Sequence, residues 1–352
     1  MANGDTSPSR VGLVEGGSDN NALFLKKFSG EILQTFEESN VFKALHTIRT
    51  IESGKSAQFP VTGIASAAYH TPGENIADGG NSYLSDIKKT EKVINIDQML
   101  IASTFLANID DVKNHYDIRS VYANELGKAL AVRFDTALAK VFIAASRDSA
   151  NLSQVGKSGG QLDVANNDFS APDTPGTVAA TTGADLVAAF FTAAQKLDEN
   201  DVPSDGRFCV LRPQEYYKLV TGADSSNSFN LLSAVNSDIG GQGSIAQGTV
   251  PQIAGISIYK SNHIPSTDLS STSTGDGAAS NDVFGGSGVG YNGDFRNSLG
   301  IVSHSAAVGT VKLLDLATES EYQIERQGTL FVAKYAMGHG VLRPECAIEL
   351  VA

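Results

Sequence analysis

The sequence predicts a chain of mixed helix and strand, α+β or α/β, on three observations. Residues 110–147 contain one glycine, Gly127, and no proline, and place Tyr122, Leu126, Leu130, Phe134 and Leu138 at four-residue spacing. That is the pattern of a long helix with an apolar stripe, roughly 55 Å from end to end at about 1.5 Å per residue. From residue 185 onward a helical pattern, a short apolar strand and a proline-initiated helix follow one another closely. Finally, residues 308–323 and 327–337 alternate in the manner of long antiparallel strands.

The elements follow in chain order. The first twenty residues are Gly, Ser, Asn and Asp with little apolar content, the composition of an arm that orders only against a partner. Phe24, Phe28, Ile32 and Phe36 then share one helical face, and Ser39-Asn40 closes that run. A strand spans residues 45–51 and leads into a polar turn at Ser53-Gly54. Two extended stretches, 57–69 and 83–97, flank a turn-rich middle with Pro72, Gly73, Gly79 and Gly80, which reads as a long hairpin. Ser82, Asp86, Lys88, Lys89 and Glu91 make it too polar for a core, and a lone two-stranded hairpin is marginal in water. The hairpin therefore needs a surface to rest on, from this chain or from another subunit.

A single alternating strand is expected around Ile94, Ile96 and Leu100, ahead of the long helix. Residues 151–183, rich in Gly, Ser, Thr and Asn, read as a mobile connection. Leu186, Val187, Phe190 and Leu197 are in phase for a helix, a Pro-Ser-Asp-Gly turn stands at 203–206, and residues 208–211 form a strand. Pro213 sits at the tolerated first position of the next helix. Residues 253–259 are expected as one strand, 265–295 as a long surface loop, and 347–351 as a closing strand.

A length of 352 residues suggests about two domains. The balance of 26 basic against 39 acidic side chains, a net charge of −13, argues against a generic nucleic-acid binder. With two cysteines, Cys209 and Cys346, a disulfide framework is excluded. Neither a signal peptide nor an apolar run approaching about 18 residues is present, so no membrane association is expected.

No chemical motif survives its context. Ser53-Gly54-Lys55-Ser56 ends like a phosphate loop, but Arg49 stands where that loop needs glycine. The glycines at 288, 290 and 293 fit a dinucleotide fingerprint without the strand and helix that such a site requires. The six histidines lack zinc-site spacing, and Asp110-Asp111 reads as helix capping. Catalytic residues, metal ligands and cofactors are therefore expected to be absent. What remains is polar, glycine-rich arms and loops around two modest cores, the look of a subunit completed by its neighbours or, equally on pattern alone, of a monomeric binding protein with decorative loops.

Several segments carry a resemblance. ALFLKKFSGEIL (22–33), SGKSAQFPV (53–61), PGEN (72–75), KKTEKVINID (88–97), KNHYDIRS (113–120), SAAVGTVKLLDLA (305–317) and AKYAMGHGVLRPE (333–345) resemble the major capsid proteins of short-tailed, Autographiviridae-type podoviruses, cyanophage members among them. The resemblance implies an α+β chain with the fold of tailed-phage and herpesvirus shell proteins. On that analogy residues 1–54 are an N-terminal arm and helix, and 55–97 an extended loop lying over a neighbouring subunit. Residues 98–184 with 323–352 make a peripheral domain around a spine helix at 110–147, and 185–322 an axial domain.

The resemblance further implies a bacteriophage virion protein that self-assembles in the host bacterial cytoplasm. It would form hexamers and pentamers in an icosahedral procapsid, with a scaffolding protein, a portal protein, and double-stranded DNA packaged inside without sequence-specific contact. Expected interface residues are Lys55, Phe59, Tyr69, Glu74, Tyr83, Asp86, Lys88, Lys89 and Glu91, and the spine-helix core is Tyr122, Leu126, Leu130, Phe134 and Leu138. A cargo-holding nanocompartment of the same fold and a soluble enzyme are the alternatives.

Overall fold

A computed structural model describes residues 40–77, 83–96, 98–109, 118–153, 155–169, 181–221, 252–270 and 290–352. The expected arm and its helix through Phe36, the start of the long helix at 110–117, and most of the 265–295 loop lie outside the described residues. The strands in chain order are β1 (Thr47–Thr50), β2 (Ser56–Thr62), β3 (Lys89–Asn95), β4 (Leu100–Ala107), β5 (Gly160–Asp163), β6 (Arg207–Leu211), β7 (Gln252–Ile253), β8 (Ile256–Lys260), β9 (Ser298–His304), β10 (Val308–Gln323), β11 (Gly328–Val341) and β12 (Ala347–Val351). The helices are α1 (Ile118–Arg147), α2 (Gly183–Glu199) and α3 (Pro213–Thr221). Two compact units result. One contains Gln98–Asp135 and Leu314–Met337; the other contains Val41–Asp97, Thr136–Leu313 and Gly338–Ala352.

The second unit is organised by a mixed six-stranded sheet in the order β5-β12-β9-β6-β8-β7. Every residue of β6 and β12 is buried, as expected of central strands covered on both faces. Helix α2 starts in a capping box: the Asp185 amide donates to Thr182 Oγ1 at 3.3 Å, and the Thr182 amide donates to Asp185 Oδ2 at 2.9 Å. Its buried side chains, Leu186, Ala189, Phe190, Ala193 and Leu197, fall at helical spacing. Four strands form the other large sheet, in the order β1-β10-β11-β4, with β1 parallel to β10 and β4 antiparallel to β11.

Sequence patterning misplaced several elements here. The strand expected around 94–100 is two strands, β3 and β4, in different sheets. The stretch 253–259 is a hairpin, because Ala254 and Gly255 take φ of 50° and 78°, the two positive angles of a tight primed turn. The 151–183 connection carries β5, which pairs in parallel with β12. Strand β9, between β12 and β6, was not anticipated at all.

Helix α1 also differs from the expected stripe. Tyr122 is 38% exposed and Leu126 half-buried, while Leu130, Phe134 and Leu138 are buried. A four-residue row drifts about 40° around a helix at each step, so its first members rotate away from the packed side. The buried row over that half is Ala123, Gly127, Leu130, Ala131 and Phe134. From Ala137 to Ser146 every side chain is buried, so the C-terminal turns form the centre of a core.

The end of α1 is tied to the sheet by a buried ion pair. Arg147 donates through Nε and Nη2 to both carboxylate oxygens of Glu349, each at 2.7 Å, and through Nη1 to the Asp294 carbonyl at 2.8 Å. The Glu349 side chain is fully buried on β12, where Gln161 and Ser298 also donate to it. The thiols of Cys209 and Cys346 are free and buried. Desolvation pushes Cys209 well up and Cys346 up to about 12. Among the described residues, no helix is long and apolar enough to cross a membrane.

One buried histidine gives the fold a pH dependence. Thr310 Oγ1 lies 2.8 Å from the His339 ring, whose backbone amide donates to Tyr291 Oη at 2.9 Å. Burial first, then the neighbouring His46, lowers its pKa from the ordinary 6.5 to about 3. The folded state therefore holds the ring neutral while the unfolded chain protonates it. This contribution is complete above about pH 6.5 and is lost as pH falls toward about 3, amounting to several kcal/mol. His339→Asn is expected to flatten that loss. Denaturant midpoints measured from pH 7 to pH 4 check it, and parallel curves for variant and parent would refute it.

Candidate assembly interface

Among the described residues, no group of His, Cys, Asp and Glu is placed to hold a metal ion. The site that stands out is the hairpin. β2 and β3 pair antiparallel from Ser56 opposite Asn95 to Thr62 opposite Lys89. The inner face packs Ala57 and Ile94 on Val311, with Ile51, Phe59, Ile96 and Leu342 around them. Arg49 lies 5.5 Å over the Phe59 ring, and Lys92 pairs with Asp148 at 3.0 Å. Gly338 allows β11 to approach this base, since a Cβ there would fall 1.9 Å from the Asn95 carbonyl oxygen. Glu91 and Val93 stand exposed on the opposite face.

Past the bond from the Gly63 amide to the Lys88 carbonyl, at 2.8 Å, the strand ladder stops among the described residues. Side chains take over. The ladder's register places Ser66 opposite Ser85, whose hydroxyl accepts from the Ser66 amide at 2.8 Å and donates to its carbonyl at 2.6 Å. Tyr83 Oη donates to the Glu74 carboxylate and accepts from the Thr71 amide at 2.9 Å. The His70 ring lies 5.2 Å from the Tyr83 ring and bonds the Glu74 carbonyl at 2.9 Å.

This polar clasp fixes the loop while leaving its apolar side chains outside. Tyr69 is fully exposed, Leu84 is 64% exposed, and Ile64 and Ile76 are each 55% exposed. Three or four such side chains in one arm are costly to leave in water. Of the nine interface residues expected from the sequence, the structure joins Glu74 to Tyr83 and seats Phe59 at the base. It leaves Lys55, Tyr69, Asp86, Lys88, Lys89 and Glu91 exposed along the arm. Sequence reasoning missed His70, Thr71, Ser66 and Ser85. The serine pair was accessible by continuing the hairpin register, whereas the His70 and Thr71 bonds carry no signal in the sequence.

A cleft of about 530 Å³ opens beside the hairpin base. Phe59, Val61 and Ile64 line it, with Leu152, Val155 and Leu342, and the charged Lys157, Asp201, Arg343 and Glu345 share the lining. Asn151 reaches it too, donating to the Leu342 carbonyl at 2.6 Å while its own Oδ1 is buried without a hydrogen-bond partner among the described residues.

Comparisons with known proteins bear on what this arm does. The family described as Gp10A-like, major capsid protein, matches residues 58–351. The chain is 34% identical to the major capsid protein of Escherichia phage T7 over 345 residues, covering 97% of this chain and 94% of that one. It is similar to the capsid structure of the cyanophage P-SCSP1u, with 40% identity, a TM-score of 0.72 and 98% of each chain covered. The mature capsid of bacteriophage PhiM1, at 18% identity and a TM-score of 0.66 over 89% of this chain and 86% of that one, shares the fold.

Proposed function

The chain belongs to the Gp10A-like family of major capsid proteins, and from that premise we propose that it builds its shell through the clasped hairpin arm. It is a structural subunit of a phage virion, with the α+β fold of tailed-phage capsids, and it assembles into a multimeric shell. In the proposed arrangement copies form the hexamers and pentamers of an icosahedral capsid in the host cytoplasm, around a scaffolding protein and with a portal protein at one vertex. The capsid encloses double-stranded DNA without reading its sequence. The work is assembly and not catalysis. Likeness at 34% to 40% identity over nearly the whole chain favours a phage shell over a nanocompartment or an enzyme.

Residues 1–54 serve as the N-terminal arm and helix, 55–97 as the extended loop, 98–184 with 323–352 as the peripheral domain, and 185–322 as the axial domain. Lys55, Phe59, Tyr69, Glu74, Tyr83, Asp86, Lys88, Lys89 and Glu91 are the proposed contact set. The observation that carries the reading is an arm whose backbone is fixed by its own hydrogen bonds while its large apolar side chains face solvent. Preorganisation lowers the entropic cost of docking, and repeated weak contacts close a shell.

The test replaces residues 63–88 by Asn-Gly, because Thr62 and Lys89 form the last ladder pair and a two-residue primed turn closes such a pair. The free subunit is expected to keep its circular-dichroism spectrum and melting, while closed shells disappear from sedimentation. Normal shells from the shortened chain would make the arm dispensable, and an unfolded subunit would make it part of the core.

A further inference from the structure

Accepting that copies of this chain form a shell, we propose that Tyr69 of one copy inserts into the cleft beside the hairpin base of the next, donating its hydroxyl to Asn151 Oδ1. The two surfaces fit by chemistry. Tyr69 is a ring with one polar tip, fully exposed on an arm already held in place by the Ser66–Ser85 and Tyr83–Glu74 bonds. The cleft offers apolar side chains from Phe59, Val61, Leu152 and Val155 beside the charged Lys157, Asp201, Arg343 and Glu345, and one buried acceptor, Asn151 Oδ1, that nothing among the described residues satisfies. An unmet buried acceptor is destabilising, and a tyrosine is the side chain that covers apolar surface and supplies a single donor. At about 530 Å³ the cleft has room for a ring and an aliphatic neighbour such as Ile76.

The occupant is a second copy. Tyr69 is fully solvent-exposed in the single chain, so it does not fill its own cleft. A knob and a hole on different patches of one chain join head to tail, and a head-to-tail contact that closes makes a ring. A buried aromatic in a pocket is also the usual anchor of an interface, while the charged residues around it set register at little energy.

The test places cysteines at the two partners, Tyr69→Cys with Val155→Cys, in the full chain co-expressed with its scaffolding protein and oxidised after assembly. The native thiols are both buried and do not compete. The expected result is a ladder of covalent oligomers on a non-reducing gel that collapses with reductant and is absent from either single variant. Shells visible by electron microscopy without a ladder would overturn the contact, as would a ladder from Tyr69→Cys alone, which would mean tip-to-tip packing. A fast-migrating monomer, showing the bridge within one chain, or a cleft filled by residues 1–39 and therefore unreactive, would also overturn it. Failure of the unmodified chain to make any shell would count against the capsid reading instead.

A second measurement isolates the hydroxyl. Tyr69→Phe is expected to raise the concentration needed for assembly several-fold, and to have no further effect once Asn151→Leu is present. Equal increases in both backgrounds would show that the tyrosine hydroxyl does not bond Asn151.

Discussion

Arg147→Leu is expected to destabilise the subunit by about 3 kcal/mol, because it removes the cation hydrogen-bonded to the buried Glu349 carboxylate and leaves only the longer-range attraction of Arg212. Gln161 and Ser298 would remain as donors, which offsets part of the cost of desolvating the charge and not the loss of its counter-ion. The double variant Arg147→Leu, Glu349→Leu is expected to recover most of the loss that either single change causes, since a buried pair replaced by apolar groups of similar volume is often near neutral. Denaturant midpoints of the two single variants and the double variant give the coupling. If the double variant were as unstable as the sum of the singles, the pair would not act as a unit.

Leu130→Asp is the other large effect expected. Leu130 is 1% exposed in the buried row with Gly127, Ala131 and Phe134, so the substitution sets an unpaired carboxylate against a core at a cost of several kcal/mol. Tyr122→Asp, two turns earlier and exposed, is expected to change stability by less than about 1 kcal/mol. A contrast between the two confirms which side of α1 packs. Equal midpoints for Leu130→Asp and the parent would mean that the helix does not pack on this row.

Much of this architecture was legible because helices and long strands write their burial into the spacing of apolar side chains. Helix α2, strand β6 with the proline-started α3, the paired long strands β10 and β11, and β12 lie where periodicity puts them. The misses have physical causes. Strand β5 is four residues long and earns its place only by lying beside β12, a partner distant in sequence. The hairpin of β7 and β8 depends on Ala254 tolerating a positive φ, which alanine does not advertise. In the arm, its polarity and turns were readable as an unsupported hairpin. The bonds of Tyr83 to Thr71 and Glu74 were not, because they join groups across a loop with no ladder to align them.

That clasp constrains how the arm can drift through evolution. Ser66 and Ser85 meet only while the count from Thr62 and the count back from Lys89 stay equal. One residue added between Thr62 and Ser66 breaks the pair and exchanges the two faces beyond it. His70 through Glu74 are likewise tied to Tyr83. Length variation among descendants of this sequence is therefore channelled between Glu74 and Tyr83, where a gain or loss leaves the serine pair in register and moves Ile76 rather than Tyr69.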